Sequence, residues 1–184
     1  GLVLAHWSSG RDLMFVGSEA GDSTRLRRAA ERMVHILAAY TRDGSVFPVD
    51  TRLRPRGNEG DILVTPSQLK IYFEVEAEPW EALVYSKFRF VAGSRPLADA
   101  AIRAARGLFE KFADLPDFSI AVREMRNKLE LADPQAFKTR AGGIYDIDFL
   151  ISFLLIKHGI PDKNGTLRDR LWRLASTGVL DKAT

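Results

Sequence analysis

The spacing of apolar residues changes partway along the chain, and this change limits the folds that the chain can adopt. Asp12 to Val16 is a short apolar run typical of a buried strand, and Ser45 to Arg54 alternates with a period of two. From Pro66 onward apolar residues recur every three or four positions, with prolines and glycines between the stretches. We therefore predict an α+β chain in which a small mixed sheet with helices precedes a helical bundle.

The same patterns predict the individual elements. Strands are expected at Asp12 to Val16, Ser45 to Arg54 and Asp61 to Thr65. Helices are expected at Ser23 to Arg42, Pro66 to Ala77, Trp80 to Val91, Pro96 to Ala113, Ser119 to Leu131, Ile144 to Lys157 and Leu167 to Ser176. The segment from Gly93 to Pro96 is the best boundary, and it divides the chain into residues 1–93 and 94–184.

Composition excludes several classes of site and partner. The chain has no cysteine and three scattered histidines, so any metal ion is expected to be held by carboxylates. A net charge of +3 from 27 basic and 24 acidic residues is too small to favour a nucleic-acid partner. The longest apolar stretch, Phe149 to Ile156, is far shorter than the roughly 20 residues that cross a bilayer. Without a secretory leader at Gly1, we expect a cytoplasmic protein and a piece of a longer one.

The segment from Val49 to Gly60 carries the clearest chemical pattern. Its alternation places Asp50, Arg52 and Arg54 on one face of a strand, and a glycine-rich loop follows. Aspartate oxygens hold Mg²⁺, and arginine forks bind phosphate oxygens in pairs, so this face suits a metal-bound polyphosphate. The alternative is an edge strand whose charges form structural ion pairs, and the pattern alone leaves both open.

A second segment, from Trp80 to Arg89, places a lysine among apolar residues. At helical spacing Lys87 shares a stripe with Leu83 and Val84, where a buried ammonium group needs an anion. The alternative is that Lys87 extends along its own methylene groups into water. Sequence alone does not decide between them.

Four segments together resemble the glutamine synthetase adenylyltransferase family. Val49 to Gly57 is similar to the family's hydrophobic-Asp-x-Arg-Leu-Arg-Pro-x-Gly sequence, and Trp80 to Arg89 is similar to its following Trp-Glu helix. Val122 to Lys128 and Gly142 to Phe149 resemble two sequences of the helical domain behind the catalytic domain. The resemblance implies a partial nucleotidyltransferase fold in residues 1–93, and the start of a helical bundle in residues 94–184.

The resemblance also implies an activity and its partners. In the family, Mg²⁺ held by carboxylates binds ATP while a tyrosyl hydroxyl of glutamine synthetase attacks the α-phosphorus, and a related domain removes AMP by phosphorolysis. The PII signal protein and glutamine set the direction. Carried over residue by residue, the catalytic and metal-binding residues are Asp12 and Asp50, which we expect on adjacent strands of the small sheet. Lys87 and Arg54 are expected to point toward the same cleft as Asp50. The expected phosphate-binding residues are Arg52, Arg54, Lys87 and Arg89.

The chain departs from the family pattern at Gly10. Aligning Asp12 with the second aspartate of the family's Gly-Ser-Asp-x-Asp motif places Gly10 where the first metal carboxylate should be, and glycine supplies no ligand. Either residues 2–11 are not native in sequence or this copy has lost a metal site. The alternative function is therefore a catalytically inactive nucleotidyltransferase-like binding or regulatory module.

Asp146 and Asp148 look like a second metal pair but fall on a predicted helix. A two-residue step on a helix rotates by about 200°, so the two carboxylates should point apart. We assign them, together with Glu124, to polar contacts between helices or to partner docking.

Overall fold

The computed structural model describes residues 2–6, 12–45, 49–162 and 165–180. It confirms the α+β class and divides the chain into two compact units. The first unit contains Gly1–Ala77 and Lys87–Gly107, and the second contains Glu78–Ser86 and Leu108–Thr184. The units are thus interleaved along the sequence. The expected division into residues 1–93 and 94–184 stays a prediction.

The first unit is built on a four-stranded sheet with a buried central strand. β1 (Leu2–His6) lies antiparallel between β2 (Leu13–Gly17) and β6 (Arg89–Gly93), and β5 (Leu63–Val64) runs parallel to β2 on its other edge. Every residue of β2 is buried, which explains the continuous apolar run seen in the sequence. The strand predicted at Asp12 to Val16 is therefore confirmed with a shift of one residue.

Two helices, each with a capped N-terminus, follow strands β2 and β5 in the sequence. α1 (Ser23–Ala38) begins where the Asp22 carboxylate accepts a hydrogen bond from the Arg25 amide. It packs the side chains of Leu26, Ala30, Met33 and Val34 against Phe15 and Leu63. α2 (Pro66–Val75) begins with a capping box between Thr65 and Gln68.

α1 ends four residues earlier than predicted. The helix was expected to reach Arg42, but Tyr40–Thr41 (β3) pairs instead with Gly44–Ser45 (β4) in a tight hairpin. Gly44 has a φ of 95°, a conformation that favours glycine, and the Thr41 hydroxyl donates to the Gly44 carbonyl. The turn signal at Asp43 and Gly44 therefore outweighs the helical propensity before it.

The helix predicted from Trp80 to Val91 is wrong in its second half. α3 (Pro79–Tyr85) ends at Ser86, whose hydroxyl donates to the Leu83 carbonyl, and residues 89–93 form β6. Phe88 is buried, Arg89 is exposed and Phe90 is half-buried, which is the alternation of a strand. Lys87 therefore lies between a helix and a strand and is not part of a helical stripe.

The strand predicted from Ser45 to Arg54 is also wrong as a continuous element. Residues 46–48, including Pro48, lie outside the described residues, and beyond them one isolated bridge at Asp50 is followed by a loop. Arg56 adopts a left-handed conformation with a φ of 61°, and Gly57–Glu59 form a 3₁₀ turn. Conversely, β1 was not predicted, and the strand expected at Asp61 to Thr65 shortens to Leu63–Val64.

The second unit is helical. α5 (Phe118–Ala132), α6 (Ile144–Lys157) and α7 (Leu167–Ser176) pack in sequence, and α3 contacts both α5 and α6. α4 (Arg95–Ala113) contributes residues to both units. The core around α6 and α7 contains Ile151, Leu155 and Leu174. The helical prediction for this part of the chain is therefore confirmed, and α6 has the predicted bounds.

Across the described ranges, no helix is both long enough and apolar enough to span a membrane.

Two leucines of α6 provide a matched test of this packing. Leu155 is 1% exposed in the core and Leu150 is 56% exposed on the same helix. We expect Leu155→Ala to lower the free energy of unfolding by about 2–5 kcal/mol, because it leaves a cavity. Leu150→Ala should change it by less than about 0.5 kcal/mol. Urea denaturation followed by circular dichroism measures both, and equal losses would contradict the assigned orientation of α6.

Candidate active site

Asp12 and Asp50 lie side by side on neighbouring backbone segments. They form an isolated parallel bridge, and the Leu13 amide donates to the Asp50 carbonyl over 2.7 Å. Residues paired across two strands lie on the same face of the sheet, so the two carboxylates start from adjacent positions. This confirms that Asp12 and Asp50 occupy adjacent strand positions.

The loop of residues 51–62 begins and ends at the same edge of β2. Since β1 covers the other edge, Asp50 and β5 share this edge, pairing with Asp12 and with Phe15 respectively. Residues 51–62 leave the edge after Asp50 and return to it at Leu63. The loop is therefore anchored at both ends on the same buried strand.

Arg54 closes this loop from within. Its guanidinium donates to the Thr51 carbonyl over 2.6 Å, to the Thr51 hydroxyl over 2.8 Å and to the Gly60 carbonyl over 3.1 Å. It thereby joins the start of the loop to its end. A Cβ atom on Gly60 would lie 1.8 Å from the Pro55 carbonyl oxygen, so the close approach requires glycine. The phosphate-binding role of Arg54 stays a prediction, since its described contacts all organise the loop.

Arg52 forms an ion pair with Asp50. The Asp50 Oδ1 atom accepts from the Arg52 amide over 2.8 Å, and Oδ2 accepts from Arg52 Nε over 2.9 Å and Nη2 over 2.5 Å. These hydrogen bonds favour the ionised carboxylate and hold the pKa of Asp50 below its usual value. The Arg52 side chain is 69% exposed, so a ligand can approach it from solvent.

Lys87 and Arg89 lie near β6, on the opposite side of β1 from β2. The register pairs His6 with both Leu13 and Arg89, which separates the backbones of Leu13 and Arg89 by two strand spacings, or about 10 Å. Lys87 is half-buried and Arg89 is exposed. The expectation that Lys87 shares a cleft with Asp50 stays a prediction, as do the phosphate-binding roles of both residues.

The carboxylates near β2 do not complete a metal site among the residues that the structure describes. Within those residues there is no group of three or more histidine, aspartate or glutamate side chains placed to hold a metal ion. Asp12 and Asp50 supply oxygen donors of the kind Mg²⁺ prefers, but Asp50 is engaged by Arg52. Gly10 and its neighbours, residues 7–11, lie outside the described residues.

A small cavity lies on the outer side of the loop. It encloses about 180 Å³, and Pro55, Tyr72 and Ile71 supply apolar lining while Arg56 and Glu76 form an ion pair at its wall. No pattern in the sequence had indicated this cavity. The Arg56 contact holds the pKa of Glu76 below its usual value.

The helical carboxylates hold helices together. Asp146 on α6 pairs with Arg126 on α5 and also accepts from the Gly142 amide over 2.6 Å. Asp148 pairs with Arg170 on α7 over 2.7 Å. This confirms the assignment of Asp146 and Asp148 to contacts between helices, and Glu124 is exposed.

The sequence reasoning missed the arginine partners of these contacts. Arg126 follows Val122 by one helical turn, and Arg170 precedes Leu174 by one turn, and all four residues are buried. An arginine at helical spacing from an apolar core position was the signal available for both.

The family model and the relatives that match this chain all belong to one family. Residues 6–104 match the family described as glutamate-ammonia ligase adenylyltransferase. A bifunctional glutamine synthetase adenylyltransferase/adenylyl-removing enzyme of Thioalkalivibrio sulfidiphilus is 32% identical, and the match covers 97% of this chain and 20% of that protein. Enzymes of the same name from Streptomyces avermitilis and Streptomyces coelicolor are 30% and 31% identical, covering 94% and 93% of this chain and 19% of each protein. The chain spans about a fifth of the length of these relatives.

The ion pair between Arg52 and Asp50 predicts a pKa change that NMR can measure. Replacing Arg52 by alanine should raise the pKa of Asp50, because its main hydrogen-bond donor is lost. Because the folded pKa of Asp50 is depressed, its ionised form stabilises the fold above the unfolded pKa. That contribution is lost as pH falls through the folded value.

Arg56→Ala is the matched control for this titration. It removes an exposed arginine of the same segment that pairs with Glu76, so it should raise the pKa of Glu76 and leave that of Asp50 unchanged. Carboxyl ¹³C chemical shifts recorded against pH follow both groups. A pKa of Asp50 that does not change in Arg52→Ala would contradict the ion pair.

Proposed function

Because the chain belongs to the glutamate-ammonia ligase adenylyltransferase family, we propose that it carries catalytic and helical parts of a protein that modifies glutamine synthetase with AMP. ATP is the AMP donor, and the same protein removes AMP by phosphorolysis. The names of the relatives, which cover both directions, support this proposal. The PII signal protein is proposed as the regulator and the cytoplasm as the location.

The pairing of Asp12 with Asp50 is the observation that carries this proposal. Two carboxylates begin at adjacent positions on a buried strand edge, and a loop clipped by Arg54 rises directly beside them. A rigid edge of this kind suits Mg²⁺-bound triphosphate, since carboxylate oxygens hold the ion and fixed backbone approaches the phosphates. We propose that Asp12 and Asp50 are the metal-binding and catalytic residues at this edge.

Arg52 gives this edge a way to exchange partners. In the protein without nucleotide its guanidinium neutralises Asp50. If Asp50 were to hold a divalent cation, the solvent-exposed guanidinium of Arg52 would be free to bind a phosphate oxygen. We therefore place Arg52 at the phosphates, with Arg54, Lys87 and Arg89 as further phosphate-binding residues. Arg54 also holds the two ends of the loop together.

The metal site is incomplete by one carboxylate. Mg²⁺ in such a site neutralises the triphosphate and the charge that develops in transfer. Of the three carboxylates in the family pattern, this chain retains Asp12 and Asp50 and has Gly10 at the first position. Nucleotide binding should be correspondingly weak and AMP transfer by this chain undetectable.

Gly10 also favours a second candidate function. A nucleotidyltransferase-like domain that has lost a metal ligand can still bind a protein or a nucleotide, and would then serve as a binding or regulatory module. The two functions differ in what restoring the carboxylate does. In a domain that retains the rest of its site, a restored ligand should return metal-dependent binding of ATP.

Isothermal titration of this chain with ATP and Mg²⁺ tests the proposal. We expect weak binding by the unmodified chain and no Mg²⁺-dependent binding by Asp50→Asn, because a donor oxygen of the site loses its charge. Gly10→Asp should tighten Mg²⁺-dependent binding by about tenfold or more, because it restores the third ligand. Asp43→Asn removes an exposed carboxylate of the β3–β4 hairpin and should have no effect.

Transfer of labelled AMP to unmodified glutamine synthetase is measured in parallel. Beside the full-length enzyme of Thioalkalivibrio sulfidiphilus, this chain should be slower by on the order of a thousandfold or more, since a lost metal ligand removes several kcal/mol of transition-state stabilisation. Transfer near the rate of that enzyme would show that Gly10 does not occupy a ligand position. ATP binding that is indifferent to both Asp50→Asn and Gly10→Asp would overturn the proposed site.

A further inference from the structure

α1 turns a row of arginines away from the sheet. Its opposite face is fixed by packing, because Leu26, Ala30 and Met33 contact the core around Phe15. The rotation of the helix is therefore set, and Arg25, Arg28 and Arg32, at intervals of three and four residues, all emerge on the exposed side. We call these three residues the arginine row.

Ion pairs within the described part of the chain leave Arg28 and Arg32 of the arginine row available to a partner. Arg28 and Arg32 form no ion pair with any other described residue, and the neighbouring Arg27 takes Asp61 as its partner. The hydrogen bond to Asp61 is the main cause of the raised pKa of Arg27, and the charge of Glu31, the acidic residue of α1, adds to it. Three guanidiniums therefore face solvent over about 10 Å of helix, at a rise of about 1.5 Å per residue.

Two exposed apolar residues follow the arginine row in the sequence. Ile36 is 59% exposed one turn beyond Arg32, and Tyr40 is 86% exposed in β3 at the end of the helix. Arginine and tyrosine are enriched at protein interfaces, where aromatic side chains supply contact area and guanidiniums supply paired hydrogen bonds. Proteins that bind a nucleic-acid duplex usually carry a larger positive charge than the net +3 of this chain, so we favour a protein partner.

We propose that the arginine row, with Ile36 and Tyr40, docks onto an acidic patch of the protein that this chain acts on. The inference rests on the proposed function, in which that protein is glutamine synthetase, and it assigns the docking surface. Charge attraction speeds the encounter and fixes its orientation, while Ile36 and Tyr40 supply the buried contact. This surface is separate in the sequence from the Asp12 and Asp50 edge.

Charge reversal on two helices provides a matched test. Arg28→Glu with Arg32→Glu reverses the arginine row, and Arg103→Glu with Arg106→Glu makes the same charge change at exposed positions of α4. Biolayer interferometry measures the affinity of each form of this chain for purified glutamine synthetase. We expect at least about a tenfold loss for the α1 pair and less than about a twofold change for the α4 pair.

Four further measurements complete the test. Replacing Arg28 and Arg32 by lysine should retain most of the affinity, and raising NaCl from about 50 mM to about 300 mM should weaken binding of the unmodified chain more than that of the α1 reversal. Circular dichroism checks that both reversals remain helical. Binding to a DNA duplex of about 20 base pairs is measured with the same variants.

Several results would overturn the docking surface. These are equal losses from the two reversals, no binding by the unmodified chain, or loss of DNA binding in the α1 reversal while binding to glutamine synthetase is kept. Each leaves the nucleotide site to be judged by its own titration with ATP and Mg²⁺. Conversely, failure of that titration with docking intact would remove the catalytic part of the proposal and leave a binding module.

Discussion

The first unit depends on one constraint, which is that every backbone group of the buried strand β2 must find a partner. Leu13 to Val16 are at most 6% exposed, so their amides and carbonyls are closed off from water. β1 satisfies one edge, and the other edge is divided between Asp50 and β5. The position of Asp50 beside Asp12 is thus a consequence of backbone hydrogen bonding and does not require a bound ion.

Arg52 and Arg54 are separated by one residue, but they have different hydrogen-bond partners. Arg54 is directed inward, where Thr51 and Gly60 offer carbonyl oxygens at the two ends of the loop. Arg52 is directed outward and meets the carboxylate of Asp50, which is 26% exposed in its side chain. An exposed ion pair of this kind adds little stability, since water competes for both partners. The contacts of Arg54, by contrast, join the two ends of the loop.

The sequence predicted best those elements whose pattern is local. α6 repeats its apolar residues over four turns and has the predicted bounds, because helical hydrogen bonds join residues four apart. β6 was mistaken for helix because Leu83, Val84 and Lys87 also fit a helical stripe, and its true partner, β1, lies more than eighty residues away in the chain. The adjacency of Asp12 and Asp50 was anticipated through family resemblance, since no local signal joins two short segments so far apart.

The segments that resemble the family differ in the contacts of their charged residues. Val122 to Lys128 and Gly142 to Phe149 are joined by the ion pair of Arg126 with Asp146, and Asp148 in the latter binds Arg170. The guanidiniums of Arg126 and Arg170 are buried, so loss of a carboxylate partner would leave a buried charge with fewer contacts and destabilise the fold. The charged residues of these segments therefore stabilise contacts between helices. Around Asp50 the carboxylate is partly open and its ion pair with Arg52 is exposed, so this pair contributes little to stability, and its role belongs to the proposed nucleotide site.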